Sequence, residues 1–202
     1  MWNWILINAS ALTAIASFFG LISLVLIFKQ VKESRMWNKL HFTYTFFPNP
    51  LEFEAIEIFL DERISFYKRN SQLNDLEVKA LIGREPISEE DKKKLSKSLG
   101  PACDKNKVEQ EFYEAGRKLK LFLNQIESYC AAISAGIIDS ESAKNVYEYK
   151  FRITFKKALP WIKELRVIKN EPRLFIETEK ILKKWIPEKG QDRKYPIKVL
   201  TF

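Results

Sequence analysis

The feature that most constrains this chain is a run of twenty-four residues, Ile5 to Phe28, without a charged side chain. At about 1.5 Å per residue, a helix of this length spans the roughly 30 Å hydrocarbon core of a bilayer. A cleaved signal peptide fits poorly, because no basic residue precedes the run and its apolar part is too long. A buried core helix also fits poorly, since uncharged runs of this length are rare in soluble domains. The sequence therefore predicts a membrane-spanning anchor.

Charged side chains flank this run on one side only. They are Lys29, Lys32, Glu33, Arg35 and Lys39, which include a single acid. Because basic residues remain on the cytoplasmic side of a membrane, we expect the N-terminus outside the inner (plasma) membrane and the rest of the chain in the cytoplasm. The predicted domains are residues 1–40, an anchor with a juxtamembrane helix, and residues 41–202, a cytosolic helical domain.

Small residues recur along one side of the anchor. They are Ala9, Thr13, Ala16, Gly20 and Ser23. Their spacings of four and three residues place them on one helical stripe. Small residues let two membrane helices approach closely, and hydroxyl groups can form hydrogen bonds across the contact. We therefore expect the anchor to self-associate into a homo-oligomer within the lipid, and a small pore lined by the stripe is a further alternative.

The formal net charge of +8 is unevenly distributed. Residues 144–202 contain sixteen Lys/Arg against seven Asp/Glu, whereas residues 51–143 contain fourteen against eighteen. A basic region below a membrane can bind anionic membrane lipid, a nucleotide or nucleic acid, or an acidic protein partner. A lysine-rich surface that serves only solubility is the other alternative.

Apolar periodicity predicts an all-α domain after the anchor. The clearest helix covers residues 108–135 and carries an apolar stripe about 120° wide. Gly136 ends this helix, and Asp139 caps a second helix that extends to residue 168 or 169. The short link predicts a long antiparallel hairpin, and we expect a helical bundle built on it.

Shorter elements are predicted on both sides of the hairpin. The helices cover residues 51–69, 73–81 and 88–99, and a last helix has Pro172 at its first position. We expect the anchor helix to end by residue 40 and the aromatic segment 41–47 to pack on the domain or lie along the membrane interface. We also expect the apolar end of the tail, residues 195–202, to dock on another surface.

Three stretches of the hairpin resemble an uncharacterised bacterial family. They are Ile126 to Tyr129, Ala135 to Asp139, and Tyr149 to Ile162. Members of that family are similar in having one N-terminal membrane helix followed by a helical cytosolic domain. The family has no established activity, so the resemblance implies architecture alone.

The residues that could carry chemistry do not predict an enzyme. The sequence lacks G-x-x-x-x-G-K-[ST], G-x-G-x-x-G and G-x-S-x-G patterns. Its one histidine, His41, and its two cysteines, Cys103 and Cys130, do not supply the ligand count of a zinc site. We expect no catalytic residue, no metal site and no cofactor.

The candidate binding residues form a basic face. It comprises Arg152, Lys156, Lys163 and Arg166 on the second hairpin helix, and Lys180, Lys183 and Lys184 on the next helix. The first four fall within about 80° of one another by helical winding. Such a face can bind phosphate groups or an acidic partner.

Two functions fit these features. The first is a self-associating, single-pass membrane protein whose helical cytosolic domain is a sensor or scaffold for a protein partner. The alternative is a membrane effector of a bacterial defence system, whose basic domain binds a nucleotide or nucleic acid. The first requires fewer assumptions.

Overall fold

A computed structural model describes residues 2–45, 50–100 and 103–186. These residues form seven α-helices and no strand, which confirms the predicted all-α class. The helices are α1 (Trp2–Thr45), α2 (Pro50–Ile64), α3 (Asp75–Ile82), α4 (Glu89–Leu95), α5 (Val108–Ser134), α6 (Ser140–Lys169) and α7 (Ile176–Trp185). The predicted segments at residues 46–47 and 195–202 lie outside the described residues.

The chain divides into two compact units, Met1–His41 and Phe42–Phe202. The first unit is the larger part of α1. This helix is long and apolar enough to cross a membrane, with a mean hydropathy of 2.0 in its most apolar window. Its large apolar side chains are exposed, and those of Phe18 and Phe28 reach 62% and 69%. Contact between such side chains and water is unfavourable by about 25 cal/mol per Å².

The second unit is packed around α5. The predicted apolar stripe of this helix is buried along its whole length: Val108, Phe112, Ala115, Leu119, Phe122, Leu123, Ile126, Tyr129, Cys130 and Ile133. α2, α3 and α7 pack most extensively against α5, and α6 packs on α3 and α7 as well. The prediction of a helix over residues 108–135 is confirmed to within one residue.

A short turn joins α5 to α6, as predicted. The Asp139 carboxylate accepts a hydrogen bond from the Ser142 N–H at 2.8 Å and so caps α6. Across the turn, the Tyr129 ring packs edge-on against the Tyr147 ring, with 5.2 Å between the centroids. α6 then continues through Pro160 to Lys169.

Residues 41–45 form the last turn of α1, so the expectation that this helix ends by residue 40 is wrong. The physical reason lies at Thr43, which is fully buried in the second unit. Its carbonyl accepts a hydrogen bond from the Tyr129 hydroxyl at 2.9 Å, and its hydroxyl accepts one from the Asp139 N–H at 3.0 Å. These long-range contacts stabilise a helical turn in a segment whose composition is typical of strands.

α2 ends at Ile64, five residues before its predicted end. The Asp61 carboxylate accepts hydrogen bonds from the N–H groups of Tyr67 and Lys68, which turns the chain away from the helix. The Lys157 ammonium of α6 donates to three backbone carbonyls of the same loop at 2.6–2.9 Å, and burial lowers its pKa. Because Lys157 lies far along the chain, apolar periodicity could not place this helix end.

α7 begins at Ile176, so the prediction that Pro172 is the first residue of the last helix is wrong. The Glu127 carboxylate of α5 accepts hydrogen bonds from the N–H groups of Glu177 and Thr178, at 2.9 and 2.8 Å. A carboxylate at this position satisfies the free N–H groups of a first turn and complements the helix dipole. It therefore fixes the start of α7 four residues beyond the proline.

The short helices α3 and α4 both begin at side-chain caps. Asn74 and Glu77 form a capping box at the start of α3. Glu77 is buried and forms an ion pair of 2.6 Å with Arg69. Ser88 caps α4, which ends four residues earlier than expected. These polar contacts fix where the two short helices begin.

α3 and α5 approach each other closely at Gly116. A Cβ atom at this position would collide with the Leu81 carbonyl group of α3. Any side chain larger than hydrogen would therefore push the two helices apart.

We expect Gly116→Ala to lower the free energy of unfolding by about 1–3 kcal/mol, the usual cost of overpacking a core, although alanine is the better helix former. Ser128→Ala, at an exposed position of the same helix, is the control and should change it by about 0.5 kcal/mol or less. Denaturant unfolding of detergent-solubilised protein, followed by circular dichroism, measures both. Equal effects of the two substitutions would contradict the close approach.

Candidate functional site

The residues of the predicted basic face fall into two groups, according to whether they form a salt bridge with a described residue. Three of them are exposed and form no salt bridge with any residue that the structure describes: Lys156, Lys163 and Lys184. The other four bind carboxylates: Arg152, Arg166, Lys180 and Lys183. Four of the seven predicted cations are therefore paired with three neighbouring carboxylates, those of Glu148, Glu177 and Glu179.

One carboxylate connects the cations of α6 with those of α7. The Glu179 side chain lies 3.0 Å from the Arg166 guanidinium and 2.8 Å from the Lys183 ammonium. Burial opposes the ionisation of Glu179, but hydrogen bonds from Lys183 and Arg166 outweigh it and lower the pKa of Glu179. Arg166 also donates to the Leu174 carbonyl at 2.9 Å. These cations serve the packing of the two helices.

Arg152 and Tyr149 form an ordered pair on the surface of α6. The Arg152 guanidinium lies 2.8 Å from the Glu148 carboxylate and above the Tyr149 ring, 5.6 Å from its centroid. A cation in this position is attracted by the ring face. Tyr149 is nevertheless 64% exposed, and tyrosine is enriched at protein interfaces.

Apolar residues that were not among the predicted site residues share this side of α6. Tyr149 and Val167 are large exposed residues, and Val167 is 75% exposed. We define the outer face of α6 as Val146, Tyr149, Ile153, Lys156, Lys163 and Val167. All six fall within about 100° of one another by helical winding. Their spacing was visible in the sequence, because apolar residues recur there opposite the buried stripe.

An open groove of about 320 Å³ lies between α2 and α6. It is lined by Glu54, Glu57, Ile58, Asp61, Tyr67, Tyr149, Lys150 and Ile153, and we call it the α2–α6 groove. Glu57 forms an ion pair of 2.7 Å with Lys150. The lining thus combines apolar side chains with three carboxylates and one ammonium group.

The Tyr67 hydroxyl at the groove already has a hydrogen-bond partner. Burial raises the pKa of Tyr67, whose hydroxyl is hydrogen-bonded to Thr154 at 2.7 Å.

Elsewhere, burial raises the pKa of Cys130 to about 12 and also raises that of Cys103, so both thiols are protonated near neutral pH. Within the described ranges, no group of three His, Cys, Asp or Glu side chains could hold a metal ion.

A second basic feature, also missed from the sequence, lies between α5 and the end of α6. The Lys120 ammonium faces that of Lys169, and this contact lowers the pKa of Lys169. Both side chains are exposed. A bound anion would stabilise two facing ammonium groups, because it would offset their mutual repulsion.

The predicted association stripe of α1 is exposed at all five positions: Ala9, Thr13, Ala16, Gly20 and Ser23. The hydroxyls of Thr13 and Ser23 donate to carbonyls one turn earlier in α1. No atom lies within 4 Å of a Cβ placed at Gly20. The stripe therefore has space for a second helix, while its hydroxyls already have acceptors within α1.

Comparison with known proteins identifies a family. A family model described as a domain of unknown function (DUF4760) matches residues 7–185, which include most of α1 and all the later helices. Comparison with curated proteins and with solved structures gave no match. The matching family has no known function, which agrees with the predicted resemblance to an uncharacterised family. The chain belongs to the DUF4760 family of domains of unknown function.

Proposed function

We propose that this chain is a self-associating, single-pass membrane protein whose helical domain is a sensor or scaffold for a protein partner. The observation that carries the proposal is the exposure of the apolar side chains along α1, whereas the second unit buries a core of its own. In water, so large an exposed apolar surface would drive association. A lipid bilayer removes that surface from water.

The basic residues after the apolar part of α1 support a cytoplasmic helical domain. All four are exposed: Lys29, Lys32, Arg35 and Lys39. Because such residues remain on the cytoplasmic side, the N-terminus is outside the inner membrane of a bacterium, and α2 to α7 are inside.

The outer face of α6 supports the docking of a protein partner. Tyr149 and Val167 offer exposed apolar surface, and Lys156 and Lys163 add positive charge beside it. A partner with apolar and acidic side chains matches this combination. The contact with Arg152 already orders the Tyr149 ring, so less side-chain entropy is lost on binding.

The facing ammonium groups of Lys120 and Lys169 favour a second candidate function. In this alternative the chain is a membrane effector of a bacterial defence system that binds a nucleotide or nucleic acid through phosphate groups. The Glu179 carboxylate, which is paired with both Arg166 and Lys183, weakens it, because it repels phosphate. Mass spectrometry of nucleotides that co-purify with the protein separates the two candidates.

Alkaline phosphatase fused after Phe202 should be inactive, because this enzyme folds only where disulfides form. A fluorescent protein at the same position should fluoresce. In the control variant, glutamine replaces the four basic residues after the apolar part of α1. The preference for a cytoplasmic C-terminus should then weaken. An active phosphatase after Phe202 would overturn the proposed orientation.

Self-association of α1 should depend on Gly20. Gly20→Ile places a branched side chain where two backbones should meet, and it should strongly reduce dimer yield in a membrane-association assay. Leu21→Ile is the matched control, since Leu21 is also exposed and the substitution conserves volume. If both variants associate like the unmodified chain, the stripe is not the contact.

The outer face of α6 is tested by charge reversal. Lys156→Glu combined with Lys163→Glu should abolish recovery of proteins that crosslink to the unmodified chain in cells, because repulsion replaces attraction. Lys93→Glu with Lys97→Glu makes the same charge change at exposed positions near α4 and should retain recovery. Each exposed substitution should alter stability by about 0.5 kcal/mol or less. Recovery that survives reversal in a folded protein would leave the outer face without a partner.

A further inference from the structure

The α2–α6 groove leaves apolar side chains uncovered beside an excess of acid. Ile58 is 49% exposed at one side of the groove, and Tyr149 is exposed at the other. Glu54 is exposed at the groove. Lys150, the only cation among the described residues that line the groove, is already paired with Glu57. The groove therefore matches a ligand that combines apolar side chains with positive charge.

Three other grooves in the described part of the chain have a smaller acidic excess. The charges balance in the groove between α2 and α5 and in the one between α3 and α6, and the groove beside Tyr113 has one carboxylate in excess. The α2–α6 groove has two in excess. Positive charge in a ligand would thus favour this groove over the others.

Residues 187–202 of the same chain have the complementary chemistry. The last ten residues contain three cations and no acid: Arg193, Lys194 and Lys198. The same stretch contains five large apolar or aromatic residues: Tyr195, Ile197, Val199, Leu200 and Phe202. It is therefore both apolar and basic, as the groove requires.

We propose that the segment 187–202 docks in the α2–α6 groove of its own chain. Its apolar side chains cover Ile58, Tyr149 and Ile153, and its cations approach Glu54 and the other carboxylates. This inference goes beyond the proposed function and depends on neither the membrane anchor nor the identity of a partner.

The segment begins close enough to reach the groove. Trp185, at the end of α7, donates to the Ser140 hydroxyl at 3.2 Å, and its ring lies 6.3 Å from that of Phe151. Phe151 is two residues from Tyr149 on α6, so α7 ends at the level of Tyr149 along the axis of α6. Sixteen residues span up to about 53 Å, whereas a helix is only about 10–12 Å in diameter.

The covalent connection strengthens weak contacts. A short tether gives an effective local concentration in the millimolar range, so modest affinity is sufficient for occupancy. Because Tyr149 and Ile153 belong to both the groove and the outer face of α6, the docked segment would cover part of the surface offered to a partner. The segment then acts as a built-in competitor for that surface.

Photo-crosslinking of the full chain tests the docking. The photoreactive residue p-benzoylphenylalanine replaces Tyr149 in one variant. In the matched control it replaces Tyr113, another exposed tyrosine, which lines a different groove. After irradiation in detergent micelles, peptide mass spectrometry should find residues 187–202 crosslinked to position 149 in several-fold excess over position 113.

Mixing isotope-labelled with unlabelled protein identifies which chain supplies the segment. Crosslinked peptide pairs in which both peptides are labelled, or both are unlabelled, support docking within one chain. Products that combine both labels would show that a second copy occupies the groove and would overturn the proposal. Equal crosslinking from positions 149 and 113, or no product containing residues 187–202, would also overturn it.

Charge reversal tests the electrostatic part with the same readout. Glu54→Lys should reduce the product at position 149 by at least roughly threefold, the ratio expected for an exposed ion pair. Adding Lys194→Glu and Lys198→Glu should restore it. If the Glu54→Lys variant unfolds at the same temperature as the unmodified protein and still gives an undiminished crosslinked product, docking through these charges is refuted.

Discussion

Burial of one side of α5 is the constraint on which the second unit depends. Its stripe of ten buried side chains contacts helices from both earlier and later parts of the chain. The positions of α2, α3 and α7 are therefore set mainly by their contacts with α5. Polar groups at the margins of the stripe complete the arrangement. Glu111 binds Arg63 in the last turn of α2, and Glu127 binds the first turn of α7. One helix thus supplies both the apolar surface and the anchoring charges.

The parts of the fold that apolar periodicity could predict are those with strong, uninterrupted stripes. The bounds of α5 and α6 were predicted almost to the residue, because their buried apolar side chains recur at intervals of three and four residues. The C-terminal end of α2 and the start of α7 were not, since they are set by Lys157 and Glu127, which lie far away in the sequence. The last turn of α1 was missed for the same reason, through the contacts of Thr43 with Tyr129 and Asp139.

The candidate site shows a similar division. Helical winding places Lys156 and Lys163 on one side of α6, but it could not reveal that Glu179 of α7 pairs with both Arg166 and Lys183. The apolar residues between the cations were visible in the sequence and were overlooked, because charge was considered without them. The α2–α6 groove could not be predicted, since it exists only where two helices distant in sequence meet. Sites formed by one helix are thus easier to predict than sites formed by two.

The position of α5 along the chain has a consequence for synthesis. About seventy residues separate the end of α2 from the end of α5. At a translation rate of 5–20 residues per second, α2 leaves the ribosome roughly 4–14 s before its complete packing surface exists. During that interval Phe53, Ile56 and Leu60 have no core to enter. The nascent chain therefore exposes two apolar segments in succession, α1 and then α2, and the second requires protection until α5 has been translated.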